Sequence, residues 1–174
     1  YLDGSHDTSF PNGSYDAGDT ISISYDGFYV RFFAKGVEFH KIAVAADQTL
    51  FMDSTIYYVD ATIEDITFAS FPTADYSGAV KLSTANSNMH IAGGTIEKIA
   101  GGTSWSDASA VSEIGYENGA ELSFTAPTDS VYAMIGFGED PTNQHNYSDI
   151  AHRIYLTSAG LAYAYVDGVQ QAGS

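Results

Sequence analysis

Trp105, Tyr76, Tyr116 and Tyr147 stand in or beside segments rich in turn residues. A ring in such a place offers an apolar face with a polar tip, the chemistry that stacks on a sugar ring. Tyr is also a favoured strand residue, so of the 13 tyrosines only those close to loops are candidates. Trp105 is the single tryptophan, and a ring of that size packs at or near a core more often than it forms a platform. Asn143 and Asn146 share the polar stretch Asp140–Asp149 (DPTNQHNYSD) with Tyr147, and are the amide candidates for the same ligand.

Glu139, Asp140, Asn143, Asn146 and Asp149 together supply the oxygen donors that calcium takes. Asp140 and Asp149 are the metal candidates, with Ca2+ as the ion. Asp and Asn equally serve turns that hold no ion. Asp3, Asp7, Asp16 and Asp19 form a second acidic cluster, and Asp53 and Asp60 flank Thr55–Val59 where they read as turn caps. His6, His40, His90, His145 and His152 lack metal-ligand spacing and read as structural or solvent-facing.

Glycoside hydrolysis needs two carboxylates facing one another across a cleft. Glu64 and Asp65 are adjacent, so they point to opposite strand faces, and Glu113 and Glu117 lie on either side of a turn. No Gly-x-Ser-x-Gly, phosphate loop or His-Glu motif is present. The expectation is a protein that is not an enzyme.

Composition narrows the partners. The 22 acidic against 6 basic residues give a net charge of -16, which leaves few cations for a phosphate backbone or an anionic membrane surface. No nucleic acid and no membrane are therefore expected as partners. Without cysteine there is neither a disulfide framework nor a thiolate zinc site. No apolar run reaches the length of a membrane span. The chain opens at Tyr1 and reads as a processed or excised piece.

Strands must position these residues. Ile21, Ile23 and Tyr25 alternate with Thr20, Ser22 and Ser24, the period of a half-buried strand. Asp26-Gly27 predicts a type I′ hairpin into Phe28–Ala34, and Lys35-Gly36 turns the chain again into Val37–Phe39. Further strands are predicted at Thr49–Met52 and Ala61–Ala69, where Ile63, Ile66 and Phe68 supply buried faces with a bulge between them, and at Thr95–Ile99 and Val111–Tyr116. Asn118-Gly119 reads as a second hairpin turn into Ala120–Ala126. Val131–Phe137 is apolar on both faces, as a central strand is, and Ala151–Leu156 with Leu161–Val166 forms a last hairpin. Between them, Ser70–Gly94 is small and polar, with only Ala79–Leu82 suggesting a strand. No stretch carries a capped helical period, so the class is all-β. Length predicts one domain over residues 1–174.

Two stretches carry a resemblance. Trp105 with Ala108–Ser112, Ala120–Phe124, Ile135-Gly136-Phe137, Ile150–Leu156 and Tyr165–Gly168 resemble, in order, the front half of a concanavalin A-like jelly-roll module, lectin- and SPRY-like, of the kind found in phage tail-fibre proteins and bacterial adhesins. Asp107, His152-Arg153 and Asp167 depart from its pattern. Tyr15–Asp19, Ile23, Asp26-Gly27, Val30, Gly36, Leu50–Ser54 and Ile63–Phe68 resemble the back half, with Lys35 and Thr49 as departures. The back half thus occupies residues 1–69, the front half 95–174, and 70–94 bridges them.

The resemblance implies a two-sheet antiparallel β-sandwich in permuted order, either closed within one chain or completed by a neighbouring copy. The 25 bridging residues reach up to about 80 Å when extended, ample for a domain roughly 40 Å across. It also implies a non-catalytic surface-recognition module at a cell exterior or virion surface, binding a glycan or host-cell receptor. The alternative is a structural subunit of an extracellular filament, virion fibre or capsid decoration whose copies exchange strands.

Overall fold

The computed structural model describes residues 13–72, 80–84, 87–127, 131–142 and 146–171. Tyr76, Asn143, His6, His145, Asp3 and Asp7 lie outside them. In chain order the strands are β1 (Gly13–Ser14), β2 (Thr20–Tyr25), β3 (Tyr29–Ala34), β4 (Val37–Ala43), β5 (Thr49–Ile56), β6 (Thr62–Ser70), β7 (Leu82–Ser83) and β8 (Met89–Ala92). They continue as β9 (Thr95–Lys98), β10 (Ser109–Ser112), β11 (Tyr116–Glu117), β12 (Ala120–Thr125), β13 (Ala133–Gly138), β14 (His152–Leu156), β15 (Leu161–Val166) and β16 (Val169–Gln170). The one helical turn among the described residues is a 3-10 turn at Tyr147–Asp149. No described helix is long and apolar enough to cross a membrane.

The strands form two antiparallel sheets, a β-sandwich. One runs β4-β3-β2-β12-β6-β9-β8; the other runs β1-β15-β14-β13-β5-β10-β7, with β11 also on β5 and β16 on β15. Early and late parts of the chain interleave: β12 lies between β2 and β6, and β5 between β13 and β10. The first described strand pairs with a late one, Gly13 opposite Ala162 and Ser14 opposite Leu161. Tyr15 adds an amide bond to the Gly160 carbonyl and a hydroxyl bond to that of Thr157, both 2.8 Å.

Between the sheets lie Ile21, Ile23, Tyr25, Phe32, Ile63, Leu122 and Phe124 from one side and Leu50, Met52, Ile56, Ile135, Phe137, Ile154 and Leu156 from the other. Each such side chain contributes about 1.5–3 kcal/mol when fully buried. The bulge in β6 falls where Ile63 and Ile66 require it: three residues apart, they share the core only because Asp65 takes a φ of 53°. The same bulge leaves Glu64 and Asp65 both exposed, so they do not point to opposite faces as a regular strand would have them.

Two turns differ from expectation. Among Asp26 and Gly27 only Gly27 takes a positive φ, and the Asp26 carboxylate instead accepts the Phe28 and Tyr29 amides. The type I′ pattern of two positive φ values occurs at Lys35-Gly36 and at Asp167-Gly168. Asn118-Gly119 makes no hairpin. It carries the chain from β11, paired with β5, across to β12 in the other sheet, and Gly119 is packed so tightly on Phe71 that a Cβ there would fall 2.2 Å from its carbonyl oxygen. Within the 70–94 segment, β8 pairs with β9 as a hairpin that the polar composition concealed.

Candidate functional site

Strands β13, β14 and β15 are buried on both faces. Their inward residues fill the sandwich, and their outward ones, Met134, Tyr155, Tyr163 and Tyr165, build a second apolar cluster on the outside of the nine-stranded sheet. A β-strand alternates faces, so Ala-Tyr-Ala-Tyr in β15 sets small residues inward and rings outward. Register aligns them: Tyr155 lies opposite both Tyr163 and Met134, and Arg153 opposite both Tyr165 and Gly136.

Over this floor stands a layer of partly buried rings. Tyr57 follows β5, Tyr132 precedes β13, Trp105 rides the loop before β10, and Tyr147 sits in the 3-10 turn. Ring centroids are 5.0 Å apart for Tyr57 and Trp105, 5.7 Å for Trp105 and Tyr155, and 6.3 Å for Trp105 and Tyr147. Tyr132 stacks on Tyr155 at 6.1 Å and 24°, and Tyr58, at 37% exposed, leans on Tyr57 and Tyr132. Offset and edge-on contacts of this kind hold each ring at a fixed tilt while leaving part of its face to solvent. Burial pushes the Tyr155 hydroxyl well above its ordinary range, with neighbouring tyrosines adding to the shift.

The scaffold under the rings is hydrogen-bonded. Thr55 Oγ1 donates to the Trp105 carbonyl at 2.6 Å, and the Tyr57 amide donates to the Tyr132 carbonyl at 3.0 Å. Asn146 caps the 3-10 turn by accepting the Ser148 amide. Beneath that turn Arg153 is fully buried, lying 5.6 Å from the Tyr147 ring and 5.3 Å from the Tyr165 ring. Its Nη1 donates to the Ile150 carbonyl at 2.7 Å, while Nε and Nη2 have no hydrogen-bond partner among the described residues. Burial lowers its pKa, partly offset by Tyr165, Tyr147 and Asp167.

Of the residues expected to bind a ligand, the structure thus brings together Trp105 and Tyr147, with Asn146 supporting the turn. Tyr116 lies elsewhere: its ring packs at 4.9 Å against Phe68, on the edge of the inter-sheet core. Tyr76 and Asn143 fall outside the described residues. Missed in the sequence were Tyr57, Tyr58, Tyr132, Tyr155 and Arg153. The signal for them was the doubly buried pattern of β14 and β15, which demands a second layer of cover.

The acidic candidates separate. Asp140 accepts the Thr142 hydroxyl and amide, and these two bonds hold its carboxyl below the ordinary range. Asp149 belongs to the 3-10 turn, where Ser148 Oγ donates to it at 3.4 Å. Among the described residues no three Asp, Glu, His or Cys side chains gather as metal ligands. Asp16 and Asp19 are both engaged by Lys35 Nζ, at 2.7 and 3.1 Å.

Asp53 is a correction. Expected to cap a turn, it lies inside β5, opposite Gly136 and 3% exposed. Burial pushes its carboxyl up to about 8; the Ser54 amide opposes this and the Asp149 charge adds to it. A carboxyl held protonated near neutrality is what a general acid requires. Asp53 is enclosed between β10 and β13, opposite Val111 and Gly136. His40 and His152 are buried in strands, whereas His90 is exposed on β8.

The chain matches no protein-family model and no curated protein sequence.

Proposed function

We propose that this protein is a non-catalytic surface-recognition module that binds glycans through the layer formed by Tyr57, Tyr58, Trp105, Tyr132 and Tyr147. The observation that carries this reading is five part-exposed rings, fixed by mutual contacts and by a hydrogen-bonded scaffold, on the outer face of the nine-stranded sheet. Sugars offer C–H faces that stack on such rings, and their hydroxyls find partners in the tyrosine tips. A platform held in place before binding avoids much of the ordering cost of association.

We read the sandwich as a concanavalin A-like jelly roll in permuted order, displayed outside a cell or on a virion as part of a fibre or adhesin. Support comes from the interleaving of β12 with β2 and β6, of β5 with β13 and β10, and from β1 lying along β15. The test is a glycan array, run with and without calcium, on the natural chain and on Trp105→Ala. Binding to a defined sugar class that the variant loses would support the reading; no binding to any sugar would overturn it.

A second reading is a structural subunit assembled by strand exchange. It is favoured by β1, a strand at a sheet edge that another copy could replace, and by the edge strand β4, which exposes Val37. Size-exclusion chromatography separates the two: a monomer favours the binding module, and concentration-dependent ladders favour the subunit.

A further inference from the structure

Lys98 is the last residue of β9 and is completely buried. Its stem continues the inward row of the seven-stranded sheet from Ile96, and its ammonium emerges where β5 of the opposite sheet ends. There Nζ meets four oxygens: the carbonyls of Ile56 (3.2 Å), Tyr57 (2.9 Å) and Ser104 (3.1 Å), and Oδ1 of Asp107. An ammonium has three protons to give and no freedom to leave, so every bond it makes ties one segment to another. The segments tied are the end of β5 with Tyr57 just beyond it, and the loop that carries Trp105.

The rest of that loop is organised around the same point. Asp107 turns its other oxygen to the Gly102 amide at 2.8 Å, and its carbonyl accepts Asn88 Nδ2 at 2.8 Å. Strand-end carbonyls have no ladder partner, and a buried carbonyl left unpaired is costly. Three carbonyls and a carboxylate form the kind of oxygen cage that elsewhere takes a metal cation. Here the chain fills it with its own cation.

We propose that Lys98 is the positioning residue of the ring platform: its ammonium serves as a built-in cation that locks Tyr57 against Trp105, so the platform needs no divalent ion to form. This rests on the ring layer being the glycan-binding face. Lys98 itself touches no ligand; it acts through the three carbonyls and the carboxylate that hold the segments bearing the rings.

The test uses Trp105 as reporter, since it is the single tryptophan of the chain. Lys98→Ala empties the cage, Lys98→Met refills its stem without a donor, and Asp107→Asn weakens one side of it with little change in volume. Emission and acrylamide quenching of Trp105 are read for each, in EDTA and then in added calcium, with far-ultraviolet circular dichroism as the check on the fold. The expected result is a red-shifted, more easily quenched Trp105 in Lys98→Ala and Lys98→Met, a smaller shift in Asp107→Asn, and recovery of Lys98→Ala alone on adding propylammonium. The natural chain is expected to give the same spectrum in EDTA and in calcium. Affinity for whichever oligosaccharide the array returns should fall about tenfold in the Lys98 variants, as about 1.4 kcal/mol of lost order implies.

A folded Lys98→Met with unchanged Trp105 emission, or a natural chain whose Trp105 spectrum depends on calcium, would overturn the proposal. Should the Lys98 variants not fold, an unshifted Asp107→Asn would overturn it equally. If Trp105 shifts and propylammonium restores it but no sugar binds the natural chain, the positioning role stands and the glycan reading is what has failed.

Discussion

The rings of Tyr57 and Trp105 meet at 5.0 Å between centroids, inclined by 46°, although one follows β5 and the other rides the loop before β10. A contact of this type contributes about 0.5–1.5 kcal/mol beyond burial. Trp105→Ala therefore removes ring contacts with Tyr57, Tyr147 and Tyr155 together. We expect it to abolish measurable glycan binding while costing about 2–3 kcal/mol of stability, less than a fully buried tryptophan would, because the ring is only partly buried. Calorimetric titration and urea melts measure the two effects separately.

Asp53 sets a pH dependence of defined sign. Its folded-state value of about 8 lies above the ordinary 3.8, so between those values the folded protein holds a proton that the unfolded chain releases. Stability from this group is complete below about pH 4 and is lost progressively as pH rises to about 8, at up to about 1.4 kcal/mol per unit. Asp53→Asn keeps an oxygen for the Ser54 amide and cannot ionise. Urea melts from pH 4 to 9 should show the variant level with the natural chain at the acid end and more stable at the alkaline end.

Arg153 offers a comparison of two substitutions. A buried guanidinium with two nitrogens lacking hydrogen bonds is costly, so an apolar side chain of similar length removes a penalty as well as the bond to Ile150. Arg153→Met is expected to change stability by no more than about 1.5 kcal/mol, whereas Arg153→Ala, which also leaves a void under Tyr147 and Tyr165, should cost about 3 kcal/mol. Denaturant titration of the two variants decides it.

Gly136 separates Asp53 from Arg153 across the sheet, and a Cβ there would fall 2.0 Å from the His152 carbonyl oxygen. Since that atom is backbone, the strand must move. Gly136→Ala should destabilise by about 3 kcal/mol, at the upper end for overpacking, and should disturb Trp105 emission because β13 carries the floor of the ring layer.

Much of the architecture was legible. Alternation in Thr20–Tyr25, the bulge required by Ile63 and Ile66, and the hairpin of β14 and β15 follow from side-chain period alone. Asn118-Gly119 misled because a turn dipeptide specifies local φ values and says nothing about which sheet receives the next strand. Asp53 misled in the other direction: an acidic residue near a chain reversal resembles a cap until pairing with β10 and β13 encloses it. The site was half visible. Trp105 and Tyr147 could be chosen for their loops, whereas Tyr57, Tyr132 and Tyr155 belong to it only through registers that bring distant strands together.

The pairing of Gly13 and Ser14 with Ala162 and Leu161 has a consequence at the sheet edge. Both β1 and β16 border β15 on the side away from β14, so early and late residues together close that edge of the nine-stranded sheet. Loosening β1 would uncover the outer border of β15, the strand that holds Tyr163 and Tyr165 in the cluster beneath the rings.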